Sequence, residues 1–162
     1  MKITILGCGT SQGVPRIGGK VNNGWGNCDP NNPKNRRRRA SIMVEQGDTR
    51  LIVDTGADFR EQALSASITS LTGVLYTHDH ADHTHGIDDL RAFAQNMNDN
   101  VPIYANAHTL DVLTSRFGYI FSGRKGYPSI CKANEIDLSP FKIGNIDVQP
   151  IELIHGGIIS YG

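Results

Sequence analysis

The chain has 162 residues, 38% of them hydrophobic, the length and composition of one domain that can bury its own core without a disulfide or a structural metal. Its 16 basic and 16 acidic side chains leave a formal net charge of zero, so no overall basic field advertises nucleic acid. The three cysteines, Cys8, Cys28 and Cys131, are odd in number, far apart and free of any C-x-x-C pair, which excludes a secreted disulfide framework and points to a cytoplasmic address; no stretch approaches the ~20 apolar residues of a membrane span.

Lys2 to Leu6 alternates and is rich in β-branched residues, which predicts a strand closed by the glycine-rich run Gly7-Cys8-Gly9-Thr10-Ser11-Gln12-Gly13-Val14-Pro15. The spacing there is G-x-G-x-x-x-G, and Pro15 stands where a helix should begin, so a dinucleotide-binding turn is set aside. From Arg16 to Asn35 the chain is Gly, Asn, Pro and Asp around the lone Trp25, a long loop of the kind that borders functional sites. Arg36, Arg37, Arg38 and Arg39 follow. Adjacent residues leading into a strand point to alternate faces, so at most two of these arginines share a surface, and a solvated edge is favoured over an RNA contact.

Ala40 to Val44 and Thr49 to Asp54 read as a hairpin whose turn is Glu45-Gln46-Gly47-Asp48. The second strand runs into Asp54-Thr55-Gly56. Phe59 to Ala66 reads as a short helix with Asp58 as its cap, and Ser70 to Tyr76 as a further strand. That strand delivers Thr77-His78-Asp79-His80-Ala81-Asp82-His83-Thr84-His85-Gly86, which holds four of the six histidines in eight residues. As a template it is H-x-H-x-D-H. In an extended or tightly turned segment, side chains two apart can converge on one ion, which His78 and His80 then share, while Asp82 and His83 face a second. Neutral imidazole suits zinc, iron or manganese, and the added carboxylate suits a two-metal hydrolytic centre better than a structural zinc knot. A helix opens after Gly86 with Asp88 and Asp89 in its first turn. Val101 to Tyr104 reads as a strand, Ala107 to Phe117 as a helix and Ile146 to Ile154 as a late strand ending on His155. The alternation of strands and helices makes an α/β layered domain over residues 1–162.

Three features together resemble the metallo-β-lactamase superfamily: T-H-D-H-A-D-H after a strand, the preceding strand ending in Asp54-Thr55-Gly56, and the later strand ending in His155. The start Leu6 to Pro15 and the stretch Thr84 to Leu90 look like its phosphodiesterase branch, nearest the PhnP-like phosphoribosyl cyclic phosphodiesterases. The resemblance runs essentially end to end. It implies an αβ/βα sandwich of two similar halves, of which this chain supplies mainly the first, so the sequence reads as the front part of a longer protein. It also implies that His78, His80 and His155 bind one divalent ion and that Asp82 and His83 bind another, the ions being zinc or manganese. The bridging Asp and last His of the family would come from the second half. PhnP-type enzymes often carry a cysteine cluster after the G-V-P segment; only Cys28 remains here, so no structural zinc is expected.

The activity implied is hydrolysis of a small cyclic or nucleotide-like phosphodiester by a metal-bridging hydroxide. Asp82 counts among the catalytic groups, as does Asp54, which is placed to hold a ligand imidazole by its other nitrogen or, alternatively, to cap the turn at Gly56. Asp79 and His85 are open between substrate contact and solvation, and His108 reads as a surface residue. The alternatives are a thioester- or lactone-type hydrolase, an RNA-processing hydrolase of the same fold, or a non-catalytic metal-binding module. A small-molecule substrate is favoured over nucleic acid, no membrane partner is expected, and a homodimer is left open.

Overall fold

The computed structural model describes all residues, Met1 to Gly162. Six strands form one sheet in the order β1 (Lys2–Gly7), β2 (Ser41–Gln46), β3 (Thr49–Val53), β4 (Gly73–Leu75), β5 (Val101–Ala105), β6 (Cys131–Glu135). The first three are antiparallel neighbours. The turn between β2 and β3 is tighter than the sequence suggests: pairing runs out to Gln46 opposite Thr49, which leaves only Gly47 and Asp48 between the strands. Gly47 sits at φ +58°, the left-handed region that a two-residue hairpin needs. From β3 onward the sheet is parallel, and helices supply the crossovers.

α1 (Phe59–Ser65), α3 (Leu90–Met97), α4 (Ala107–Arg116) and α5 (Gly118–Ser122) supply the crossover layer, and side chains from all of them join those of the strands in one cluster. Phe59, Leu90, Phe93, Leu113 and Ile120 meet Ile52, Val74, Val101 and Ile103 there, each at most 6% exposed. A smaller cluster, Leu51 with Ile143 and Ile146, joins the sheet to the hairpin β7 (Phe141–Ile143) and β8 (Ile146–Val148). Ile3 and Ile5 on the edge strand β1 remain exposed. The expected late strand is interrupted at Pro150, which has no N–H to give a ladder, so β8 ends at Val148 and a separate hairpin, β9 (Glu152–His155) with β10 (Ile158–Tyr161), follows. No helix is long and apolar enough to cross a membrane.

Two local expectations change. Asp58 stands at the N-cap of α1 but makes no cap; its carboxylate instead accepts from the Arg39 backbone N–H at 2.8 Å and from Arg39 Nη1 at 2.9 Å. The four arginines take different partners: besides Arg39 on Asp58, Arg38 donates to the Glu61 carbonyl and Ser65 Oγ, Arg37 reaches Cys8 Sγ at 3.6 Å, and Arg36 lies over Trp25. The cysteines differ as sharply. Cys131 is 2% exposed, and burial, aided by the charge of Asp88, pushes its thiol up to about 12, whereas Cys8 is exposed. Thiol titration with mass-spectrometric mapping is therefore expected to label Cys8 first, half-buried Cys28 more slowly, and Cys131 only after unfolding. Equal labelling of all three in the folded protein would contradict this packing.

Candidate metal centre

The candidate residues gather beyond the carboxyl ends of the parallel strands β3 and β4, where an open α/β sheet leaves a crevice and its loops are free to carry chemistry. Asp54 ends β3. Its backbone N–H bonds the Leu75 carbonyl at 2.9 Å and its φ is +62°, a conformation Asp adopts more readily than most residues. Asp54 is 4% exposed, with its own carbonyl capped by Ser41 Oγ. Thr55 and Gly56 brace the histidine loop from below. The Thr55 N–H bonds the His83 carbonyl at 2.8 Å, and a Cβ at Gly56 would run into the Asp82 carbonyl oxygen. The Asp-Thr-Gly sequence thus combines a turn with a close backbone approach.

After β4 the chain bends at Thr77 and runs through His78 and Asp79 to His80, whose extended backbone caps the single helical turn α2 (Ala81–Thr84). This short helix, which the sequence did not announce, carries Asp82 and His83, while His78 and His80 precede it. The His78 ring lies 4.6 Å from the His80 ring, 4.2 Å from that of His83 and 4.8 Å from that of His155, centroid to centroid. One ligand atom from each of His78, His80 and His155 lies within 4.8 Å of the others. His155 comes from the hairpin β9–β10, which the Tyr161 N–H ties to the Thr77 carbonyl at 2.8 Å. Beside this group, His83 Nε2 stands 3.3 Å from Asp82 Oδ2, while His83 Nδ1 is 2.7 Å from Asp54 Oδ2.

The electrostatics separate the rings. Burial, reinforced by the charges of His83, His80 and His155 and opposed by Asp54, lowers the His78 pKa to about 4, so the ring is neutral at physiological pH. For His83 burial works in the same direction but is outweighed by the hydrogen bond and charge of Asp54 and by the charge of Asp82, and its pKa rises. His78 Nε2 is a buried polar atom with no hydrogen-bond partner. A neutral imidazole with an orphaned nitrogen facing two other imidazoles is a costly arrangement unless a cation completes it.

The structure separates the remaining candidates. Asp79 is engaged by Arg116 at the end of α4, whose guanidinium donates to the Asp79 carbonyl at 2.8 Å and lies 3.3 Å from its carboxylate. His85 is exposed, edge-on to Phe117. His108 lies exposed in the first turn of α4, which Asn106 caps through the Thr109 N–H, and it is not one of the three grouped imidazoles. Sequence reasoning missed Thr77 and Arg116. Thr77 carried a signal in its place directly before the first histidine, whereas the Arg116–Asp79 pair spans 37 positions and left none.

Residues 49–160 match the profile of the beta-lactamase superfamily domain. The crystal structure of a diphosphatase from the PhnP family superposes with a TM-score of 0.83 at 35% identity, covering 99% of this chain and 59% of that one. An octanoyltransferase of Porphyromonas gingivalis is 34% identical over 166 residues, covering the whole of this chain and 32% of the relative. A hydroxyacylglutathione hydrolase of Shewanella baltica is 37% identical over 54 residues, covering 33% of this chain and 18% of the relative. The chain thus spans a third of the octanoyltransferase and about three fifths of the diphosphatase. With the profile running from β3 through the histidine loop and the His155 strand into β10, the chain belongs to the β-lactamase superfamily and carries its mixed α/β metallo-β-lactamase fold.

Proposed function

We propose that the chain forms the metal-binding part of a hydrolase that cleaves a small phosphodiester, cyclic or nucleotide-like. The observation that carries this reading is the three-imidazole cluster with the orphaned His78 Nε2, a donor set that fits a divalent ion such as zinc or manganese. His78, His80 and His155 would hold one ion, and Asp82 with His83 would contribute to a second. When bound, such ions act as Lewis acids toward phosphoryl oxygens and lower the pKa of water toward neutrality. The protein groups do the positioning. Asp54 holds His83 by Nδ1 and leaves Nε2 beside Asp82, Arg116 anchors Asp79, which lies between His78 and His80 in sequence, and Tyr161 ties the hairpin bearing His155 to the histidine loop.

The phosphorus-directed substrate class draws support from the PhnP-family diphosphatase that this chain matches along almost its full length. A thioester hydrolase is the second reading, favoured by the shorter match to a hydroxyacylglutathione hydrolase. The test is a panel of a chromogenic phosphodiester, a diphosphate, a thioester and a lactone, with protein loaded with zinc or manganese and with the same protein after chelation. Phosphodiester turnover that disappears on chelation and returns with metal is the expected result. Turnover confined to the thioester would replace the reading, and no turnover above the chelated control on any substrate would overturn it.

A further inference from the structure

We propose that Thr77 is a positioning residue that fixes the tautomer of His78, keeping the proton on Nδ1 and the bare Nε2 lone pair turned into the imidazole cluster. The cluster's role as a metal site is the reading made above; the tautomer follows from hydrogen bonds alone.

Thr77 Oγ1 stands 2.8 Å from Asp54 Oδ2 and 2.8 Å from His78 Nδ1, and the hydroxyl has one proton to give. Asp54 is already committed as an acceptor: its Oδ1 takes the Thr77 backbone N–H at 2.9 Å, and its Oδ2 takes His83 Nδ1 at 2.7 Å. The Thr77 proton therefore goes to Asp54 Oδ2. Reversing it would set two acceptor oxygens against each other at hydrogen-bond distance. The remaining lone pair of the hydroxyl must then accept, and the donor facing it is His78 Nδ1–H. That assignment leaves Nε2 unprotonated, and Nε2 is the buried atom without a partner. One carboxylate thus orients two imidazoles by Nδ1, His83 directly and His78 through the hydroxyl, which sets His83 Nε2 beside Asp82 Oδ2 and leaves His78 Nε2 without a partner. A neutral imidazole free to exchange tautomers would spend part of its time with a proton on the binding nitrogen, and outer hydrogen-bond partners of this kind are typically worth about 10–100-fold in metal affinity.

The experiment uses nitrogen-15-labelled histidine in the chelated protein, with long-range proton–nitrogen spectra reporting which ring nitrogen of His78 carries hydrogen, followed by calorimetric titration with zinc. The expected result is a protonated Nδ1 in the parent and in Thr77→Ser, a mixed or reversed signature in Thr77→Val, and zinc affinity about 10-fold or more weaker in Thr77→Val with recovery in Thr77→Ser. A parent His78 protonated on Nε2 overturns the inference, as does a Thr77→Val spectrum identical to the parent's. Should Thr77→Val fail to fold, the parent spectrum and Thr77→Ser still decide it. A parent that shows the inferred tautomer yet takes up no zinc supports the inference and overturns only the metal reading.

Discussion

His78→Ala is expected to strip the chain of tightly held metal, and with it any metal-dependent hydrolysis, while leaving the fold intact. His78 is the ring in contact with all three other imidazoles, within 4.8 Å centroid to centroid of each. It is also the least exposed of the three grouped imidazoles, at 4%. Without it, His80 and His155 remain, both exposed, with ring centroids 5.2 Å apart, one at the start of α2 and the other on the hairpin β9–β10. Two ligands of that kind do not make a site. The loss in affinity should exceed the about 10–100-fold that follows removal of an outer hydrogen-bond partner, since here a donor atom itself is gone. The fold is spared because the deleted ring takes with it a buried nitrogen that had no partner, offsetting part of the cost of the cavity. Metal content after dialysis, by elemental analysis, reads the effect, and thermal unfolding of the chelated variant checks the fold. His108→Ala, on the exposed start of α4, serves as the control. Parent-like metal content in His78→Ala would remove the cluster from the argument.

How much of this was legible in the sequence depends on how local each determinant is. The H-x-H-x-D-H spacing is a local fact, and the strand that delivers it, the hairpin before it and the helix at 107–116 all follow from patterns within a dozen residues. What escaped is what neighbours impose from far away. Cys131–Glu135 alternates too weakly to announce a strand, yet it pairs with β5 at five successive positions because a parallel partner lies alongside. The expected strand from Ser70 shrinks to Gly73–Leu75, the residues that pair in register with β3. Asp58 looked like a helix cap and became the counter-ion of Arg39, 19 positions earlier, accepting from both its backbone N–H and its guanidinium. Within the site, Asp54 read as support for an imidazole, with a turn-capping role as the alternative. The structure gives it both contacts at once: a left-handed backbone at the turn and a carboxylate that accepts from Thr77 and His83.

That double use makes Asp54 the position where substitution should cost the most. Asp54→Ala removes the acceptor of the Thr77 N–H, the Thr77 hydroxyl and His83 Nδ1 together. Each buried donor left without a partner costs about 1–3 kcal/mol, and alanine at a φ of +62° adds about 1–2 kcal/mol of backbone strain. The combination is a large share of the roughly 5–15 kcal/mol that holds an ordinary domain together, so the alanine variant should be marginally folded or unfolded at room temperature. Asp54→Asn separates the two roles. Asparagine tolerates the left-handed backbone, which keeps the turn, but its amide offers one acceptor oxygen and turns two N–H donors toward groups that are themselves donors. This variant should fold with a loss of about 2–4 kcal/mol, and it should bind zinc about 10–100-fold more weakly because His83, and Thr77 with it, lose the group that orients them. Denaturant unfolding of the chelated proteins and calorimetric zinc titration measure the two effects independently. An Asp54→Ala protein as stable as the parent would mean that the carboxylate carries none of this hydrogen bonding in solution. An Asp54→Asn protein with undiminished zinc affinity would mean that the imidazoles keep their orientation without it.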